Sequence, residues 1–340
     1  MRRSLARLSI PFREPFVTSG GVVTARELLL LRLEDDDGAV GYGEAAPFEP
    51  YDGVPLEEAA AALQSGAARS PNGSPPQARA AEEMARLDLE ARRDGRAVGE
   101  PGAEAIAVNL TLAGGPPEEV ARRAAAGVRD GFACFKVKVG LPDDAERVAA
   151  VREAIGPWPA LRIDANGGWT VGEAIAAIEA LSLHDLQLVE QPCRTLEEMA
   201  EVRRAVRVPL AVDEPIASAD DVRAAVEAGA CDAVNVKLAP CGGFEAARAT
   251  IAAARESGLE PFLSSTLDGP WGIAAALQLA ASERLLLACG LATLNLFDAA
   301  LARALPAPQA GLLAVPEGPG LGVSVGDDAL AEVLVEELEQ

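Results

Sequence analysis

Lys138, Asp164, Glu190, Asp213 and Lys237 follow one another at intervals of 26, 26, 23 and 24 residues. Each lies at or near the end of a short β-rich run, and each interval is the length of one strand and one helix. Charges repeated at that period fall at equivalent ends of successive strands, where they would ring a single pocket. Alternation along a strand supports the same placement, because successive side chains point to opposite faces. Lys136 shares a face with Lys138, Arg162 with Asp164 and Asn166, and Asn235 with Lys237. Val137, Val139, Ile163, Ala165, Val234 and Val236 take the other face, which is apolar throughout.

Buried charges are costly unless they are paired or bind a metal. Asp164, Glu190 and Asp213 would place three hard oxygen ligands on neighbouring strands, which suits Mg²⁺, or Mn²⁺, with positions left for water or substrate. A structural network of these carboxylates with Arg and Lys is the alternative reading of the same residues. Lys138 and Lys237 flank the carboxylate arc from opposite sides. A lysine beside a cation and a second lysine is expected to have a lowered pKa, which makes a neutral amine available as a base. One lysine could then remove a proton next to the carboxylate of a small-molecule substrate while the metal stabilises an enediolate. The other could donate a proton or stabilise charge. Lys136 reads as an auxiliary charge, with Asn166 and Arg162 as further auxiliary residues.

Residues 106–110, 135–139, 161–166, 186–190, 210–213, 233–238, 261–265 and 285–289 read as strands separated by Ala-, Glu- and Arg-rich helical stretches. Eight such alternations predict an α/β fold, a (β/α)-barrel, over 104–314. An open doubly wound sheet is disfavoured because no glycine fingerprint follows the first strand. Residues 1–103 read as an α+β unit: strands over 5–10, 27–33 and 40–43, then helices over 56–64 and 77–92 separated by a loop at 70–76. The paired glycines within 18–24 suit a mobile flap. The tail, 315–340, is Gly/Pro-rich and then helical, and is expected to pack back on the first unit.

Thirty Lys and Arg against 52 Asp and Glu give a net charge of −22. Such a surface repels phosphate backbones and anionic lipid, so neither nucleic acid nor membrane is an expected partner. A single histidine, His184, argues against Ser-His-Asp, Cys-His and multi-histidine metal chemistry. Five scattered cysteines without a C-x-x-C pair read as reduced thiols in a cytoplasm. The sequence shows neither a signal-like apolar core nor a run long enough for a membrane helix, which predicts a soluble protein. It does not reveal an oligomeric state.

The motifs resemble the enolase superfamily, in its muconate-lactonizing subgroup. The subgroup's pattern appears as Lys136/Lys138, Asp164/Asn166, Glu190-Gln191-Pro192, Asp213-Glu214 and Lys237, and the resemblance covers nearly the whole chain. Gly41-Tyr42-Gly43-Glu44 and the flap before it resemble the family's capping domain. The resemblance implies an enolase-like modified TIM barrel with an N-terminal α+β cap, and Mg²⁺ paired with a lysine base is the known chemistry of that superfamily.

Within the subgroup the chain is most similar to the o-succinylbenzoate synthase family. Pro240-Cys241-Gly242-Gly243, Ser264-Ser265-Thr266-Leu267-Asp268 and Ala288-Cys289-Gly290-Leu291 are synthase-like, and the Asp-x-Asp of dipeptide epimerases is lacking. Pro270-Trp271 departs from the small residues expected there. That similarity implies a carbon–oxygen lyase of menaquinone biosynthesis. It also implies substrate contacts from Ser264, Ser265, Asp268, Thr18, Ser19 and Gly20. Dipeptide epimerase, N-acylamino acid racemase and muconate cycloisomerase activities would use the same lysines and metal. A binding barrel without catalysis is disfavoured because every lysine and metal-ligand position is filled.

Overall fold

The computed structural model describes residues 1–70 and 73–338. Pro71 and Asn72 of the expected 70–76 loop, and Glu339 and Gln340 of the tail, lie outside the described residues.

Strands β1 (Arg2–Thr18), β2 (Gly21–Glu34) and β3 (Val40–Ala45) form an antiparallel sheet. The segment read as a flap, residues 18–24, is the tip of one long β1–β2 hairpin and not an irregular connection. Phe16 pairs with Val23, Val17 with Val22 and Thr18 with Gly21, which leaves Ser19-Gly20 as the turn. The β-branched Val22, Val23 and Thr24 favour this extension, and the glycines serve the turn and not a loop. Helices α1 (Glu49–Asp52), α2 (Leu56–Gln64) and α3 (Pro76–Asp94) follow. Leu29, Leu31 and Leu33 point to one face of the sheet and bury against Ala78, Ala81 and Ala85 of α3. Gly41 and Gly43 make that contact possible, since a Cβ on Gly43 would stand 1.9 Å from the Ala81 carbonyl oxygen.

The barrel alternates β4 (Ala105–Ala107), β5 (Leu110–Leu112), α4 (Pro117–Arg129), β6 (Cys134–Lys138), α5 (Asp144–Ile155), β7 (Ala160–Asp164), α6 (Val171–Leu181) and β8 (Leu186–Glu190). It continues with α7 (Leu196–Ala205), β9 (Leu210–Val212), α8 (Ala219–Ala228), β10 (Ala233–Val236), α9 (Leu238–Cys241), α10 (Phe244–Glu256), β11 (Glu260–Leu263) and α11 (Pro270–Glu283). Among the described residues, β5 to β11 form a seven-stranded curled sheet in chain order. All its pairs are parallel. Val137, Ile163, Val189, Val234 and Val236 are fully buried on its apolar face.

Two expected strands differ. The run expected over 106–110 is split: β4 pairs antiparallel with β12 (Leu312–Ala314), and only β5 joins the barrel. Residues 285–289 form no strand, and Leu286 is 81% exposed. This leucine run has one residue turned out to water and so is not the doubly buried strand its composition suggested. The barrel closes through single bridges, Cys289 to Val108 and Gly290 to Ser264. The tail, expected to turn helical after its Gly/Pro-rich start, forms only the short α12 (Asp327–Ala331) and then a strand, β13 (Leu334–Leu338), which packs back on the first unit by pairing antiparallel with β1.

Candidate active site

Lys138, Asp164 and Glu190 are the last residues of β6, β7 and β8, and they lie side by side in the parallel register. Asp213 and Lys237 follow β9 and β10 by one residue. All five are buried at one end of the barrel. Two backbone kinks turn the chain over them. Asn166 and Gln191 take positive φ, 46° and 39°, and Asn is among the residues that best tolerate this region. Asn166 N–H then donates to Asp164 Oδ1 at 2.9 Å, and Gln191 Oε1 accepts the Asp213 N–H at 2.7 Å.

Every one of these carboxylates meets an ammonium. Lys136 Nζ lies 2.8 Å from Asp164 Oδ2 and 2.6 Å from Glu190 Oε1. Lys138 Nζ donates to Asp164 Oδ2 at 2.6 Å and Asn166 Oδ1 at 2.7 Å. Lys237 Nζ reaches both Asp213 oxygens, at 2.5 and 2.6 Å. Burial disfavours the charged form of Lys136, but Asp164, Glu190 and Asp213 outweigh it and raise its pKa well above the ordinary lysine value. Burial likewise works to raise Asp164, and the Lys136 and Lys138 charges overcome it and hold Asp164 below the usual carboxylate range. Glu190 is raised, by burial first and then against Lys136 by the neighbouring Asp164 and Asp213 charges.

Four residues of this site escaped the reading of the sequence as site residues. Glu214, whose Oε1 accepts Asn166 Nδ2 at 3.0 Å, is pushed up to about 8 by burial and by the Asp213 and Asp164 charges. Asn235 Nδ2 donates to Glu190 Oε1 at 2.9 Å. Gln191 supports Asp213, as described above. Tyr51 comes from the cap: its hydroxyl donates to Asp213 Oδ1 at 3.0 Å and accepts from Lys237 Nζ at 2.7 Å. Burial, followed by the Asp213 and Glu214 charges, raises the phenol well above its usual pKa, so it stays neutral. Glu214 and Asn235 could have been found from strand alternation and the acidic pair. Nothing local marks Tyr51.

A cavity of about 540 Å³ opens above these residues between cap and barrel. Thr18, Ser19, Gly20, Ser264 and Ser265 line it. Ser19 Oγ donates to the Ala165 carbonyl at 2.8 Å, tying the hairpin tip to the barrel. Among the described residues the buried Ser264 hydroxyl has no hydrogen-bond partner, and Ser265 Oγ meets Thr293 Oγ1 at 2.9 Å. Asp268 lies behind the cavity wall, where its Oδ1 accepts from the Thr266 N–H and hydroxyl. Arg162 shares the interior face with Asp164 but sits lower, bonded to Gln187 Oε1 and the Ala288 carbonyl. His184 offers its backbone carbonyl to Arg152, away from the cavity. At Gly242-Gly243 the start of α10 is taken by the Glu83 carboxylate, which accepts the Phe244 N–H.

The oxygen donors fit a divalent cation. Among the described residues Glu190 Oε2 and Glu214 Oε2 are buried without a hydrogen-bond partner. Four acidic groups (Asp164, Glu190, Asp213 and Glu214) also outnumber the three ammoniums of Lys136, Lys138 and Lys237. Among the described residues no three acidic, histidine or cysteine side chains form a ready-made cage, and the lysines engage oxygens of Asp164, Glu190 and Asp213.

Residues 119–329 match the family described as Enolase C-terminal domain-like, and the chain belongs to that family. It is an enzyme of the enolase superfamily, with the capped barrel fold. It is 36% identical over 331 residues to an o-succinylbenzoate synthase of Thermobifida fusca (strain YX), covering 96% of this chain and 91% of that protein. Its fold matches a 2-chloromuconate cycloisomerase from Rhodococcus opacus 1CP with a TM-score of 0.91, at 26% identity and 99% coverage of both chains. A dipeptide epimerase from Enterococcus faecalis V583, complexed with Mg and the dipeptide L-Leu-L-Tyr, matches at a TM-score of 0.86 and 27% identity, over 95% of this chain and 99% of that one. Among the described residues no helix is long and apolar enough to cross a membrane.

Proposed function

We propose that this enzyme is an o-succinylbenzoate synthase, dehydrating 2-succinyl-6-hydroxy-2,4-cyclohexadiene-1-carboxylate to 2-succinylbenzoate for menaquinone synthesis. The observation that carries this reading is the near full-length similarity to a synthase, joined to two lysines facing each other across the carboxylates. Asp164, Glu190 and Asp213 would hold Mg²⁺, which supplies positive charge to the enediolate that forms when the substrate loses its α proton. Lys138 takes that proton, positioned by Asn166, its side-chain partner outside the carboxylates given to the metal. Lys136 keeps a fixed positive charge beneath it, and Lys237 contributes charge from the opposite wall. The ring hydroxyl then leaves from the same face as water, with the proton returned by Lys138, and the ring becomes aromatic. The proton count closes: one is taken from carbon and one departs with the hydroxyl.

The test is an ultraviolet assay with that diene on wild type and Lys138→Ala, with Mg²⁺ and with EDTA. Metal-dependent loss of the diene absorbance in wild type alone is expected. No turnover by a folded, Mg²⁺-supplied wild type would overturn the assignment. A second reading, isomerisation by the same residues, is favoured by the cycloisomerase and epimerase folds. It would appear as solvent deuterium entering an intact dipeptide or N-acylamino acid.

A further inference from the structure

Lys237 is paired with a carboxylate, Asp213, that a divalent cation would claim. Its ammonium has three hydrogens to donate, and its side-chain partners are the two oxygens of Asp213 and the hydroxyl of Tyr51. Among the described residues Tyr51 is therefore its only side-chain partner outside the candidate metal ligands. The contact is double: Nζ also stands 4.0 Å from the centre of the Tyr51 ring, within range for attraction between a cation and an aromatic face.

The phenol reaches this place from the other domain, 186 residues away in sequence, and its approach is braced at several points. Tyr51 sits in the single turn of α1. Asp52 accepts the N–H groups of Phe48 and Val54 at 3.0 Å each and Gln77 Nε2 at 2.7 Å. Gly53 closes the turn at φ 70°, a conformation that favours glycine. Just before it, Arg26 donates to the Ala46 and Pro47 carbonyls at 2.7 and 2.6 Å and to the barrel's Thr266 carbonyl at 3.2 Å. The loop is thus pinned to its own domain and to the barrel, which fixes the height at which the hydroxyl hangs over Lys237.

We propose that Tyr51 is a positioning residue for Lys237: a capping-domain phenol that holds the sixth-strand ammonium in place once Asp213 is committed to metal. This deepens the proposed function and rests on Lys237 serving that reaction. It also makes Lys237 depend on a seated cap, since neither the barrel nor the cap alone supplies the contact.

Tyr51→Phe removes the hydroxyl and keeps the ring. The first readout does not use the reaction. Mg²⁺-loaded wild type and variant are labelled with trace acetic anhydride, and the Lys237 to Lys138 acetylation ratio is read by peptide mass spectrometry. With Lys138 in the same pocket as the reference, the ratio is expected to rise at least about tenfold in the variant, the lower end of the range for losing one hydrogen bond to a charged group. An unchanged ratio overturns the proposal whatever the substrate proves to be. In the diene assay kcat should fall about tenfold with KM changed much less, as when an interaction made in the transition state is lost. A raised labelling ratio with unchanged kcat overturns it as well. If wild type itself leaves the diene intact, the synthase reading fails while the labelling ratio still judges Tyr51. An unaltered melting temperature in the variant is expected, and a drop of many degrees with wild-type labelling would point to packing alone and overturn the proposal.

Discussion

Glu44, on β3 of the cap, accepts the backbone N–H of Gly269 at 2.7 Å and that of Gly272 at 3.3 Å, capping barrel helix α11 from across the domain boundary. Glu83 of α3 does the same for α10, accepting the Phe244 N–H at 2.5 Å. Both helices start on glycine, Gly243 and Gly269, with no side-chain cap of their own. Helix N-termini leave several N–H groups without partners, and carboxyl oxygens there accept from those donors and, when charged, also meet the positive end of the dipole. By contrast α6 and α7 carry local capping boxes, Thr170 with Glu173 and Thr195 with Glu198. The two borrowed caps lie where the chain leaves the Lys237 and Ser264 strand ends, so docking of the cap and order of the pocket wall are linked.

Glu83→Ala should therefore destabilise the protein by about 1–2 kcal/mol, the upper range for loss of an N-terminal cap. Glu83→Gln, which keeps an acceptor, should recover most of the loss. Urea midpoints of the two variants check this, and equal losses would show that charge and not hydrogen bonding matters.

Glu44 predicts a pH effect. Burial first, and then the Asp268 charge, push its pKa from 4.5 to about 8. A raised carboxylate holds its proton in the fold after the unfolded chain has lost it. Its contribution to stability is therefore fully present below the unfolded value and falls as pH rises through the window up to about 8. Glu44→Gln imitates the protonated form and should make stability fall less steeply between pH 5 and 8, with the slope due to Glu214 remaining. Urea unfolding at several pH values reads this directly.

Lys136 bridges Asp164 and Glu190, so Lys136→Ala strands buried negative charge. A loss of about 3–5 kcal/mol is expected in EDTA, the scale for breaking a buried ion pair by removing one partner. Mg²⁺ should restore part of it, and should raise the wild-type melting temperature as any ligand selective for the fold does. Melts of both proteins with EDTA and with Mg²⁺ test the pairing and the metal together. A variant indifferent to Mg²⁺ would count against the three carboxylates as ligands.

Asn166 holds Lys138 on one side and Glu214 on the other. Asn166→Ala should lower kcat about tenfold, the cost of one hydrogen bond to a charged group, with a smaller change in KM. Steady-state kinetics on the diene measure both. A pure KM effect would instead place Asn166 in ground-state binding.

The sequence by itself determined the layered charges. Residues 26, 26, 23 and 24 apart must reach successive strand ends if each interval is one strand and one helix, and alternation decides which side chains face inward. Both rules are local, so Lys138, Asp164, Glu190, Asp213 and Lys237 are legible in the order of residues alone. Alternation gives the face but not the role. Arg162 shares a face with Asp164 yet lies two residues, about 6–7 Å, deeper, where it serves the barrel floor. The closure was also illegible, because 285–289 has a strand's composition while closing the barrel needs only Cys289 and Gly290. Only the tertiary structure decided what the cap does. Tyr51 over Lys237 and Glu44 and Glu83 on α11 and α10 are contacts between segments 161 to 228 residues apart. No periodicity spans such distances, and those pairings follow from how two buried apolar surfaces seat against each other.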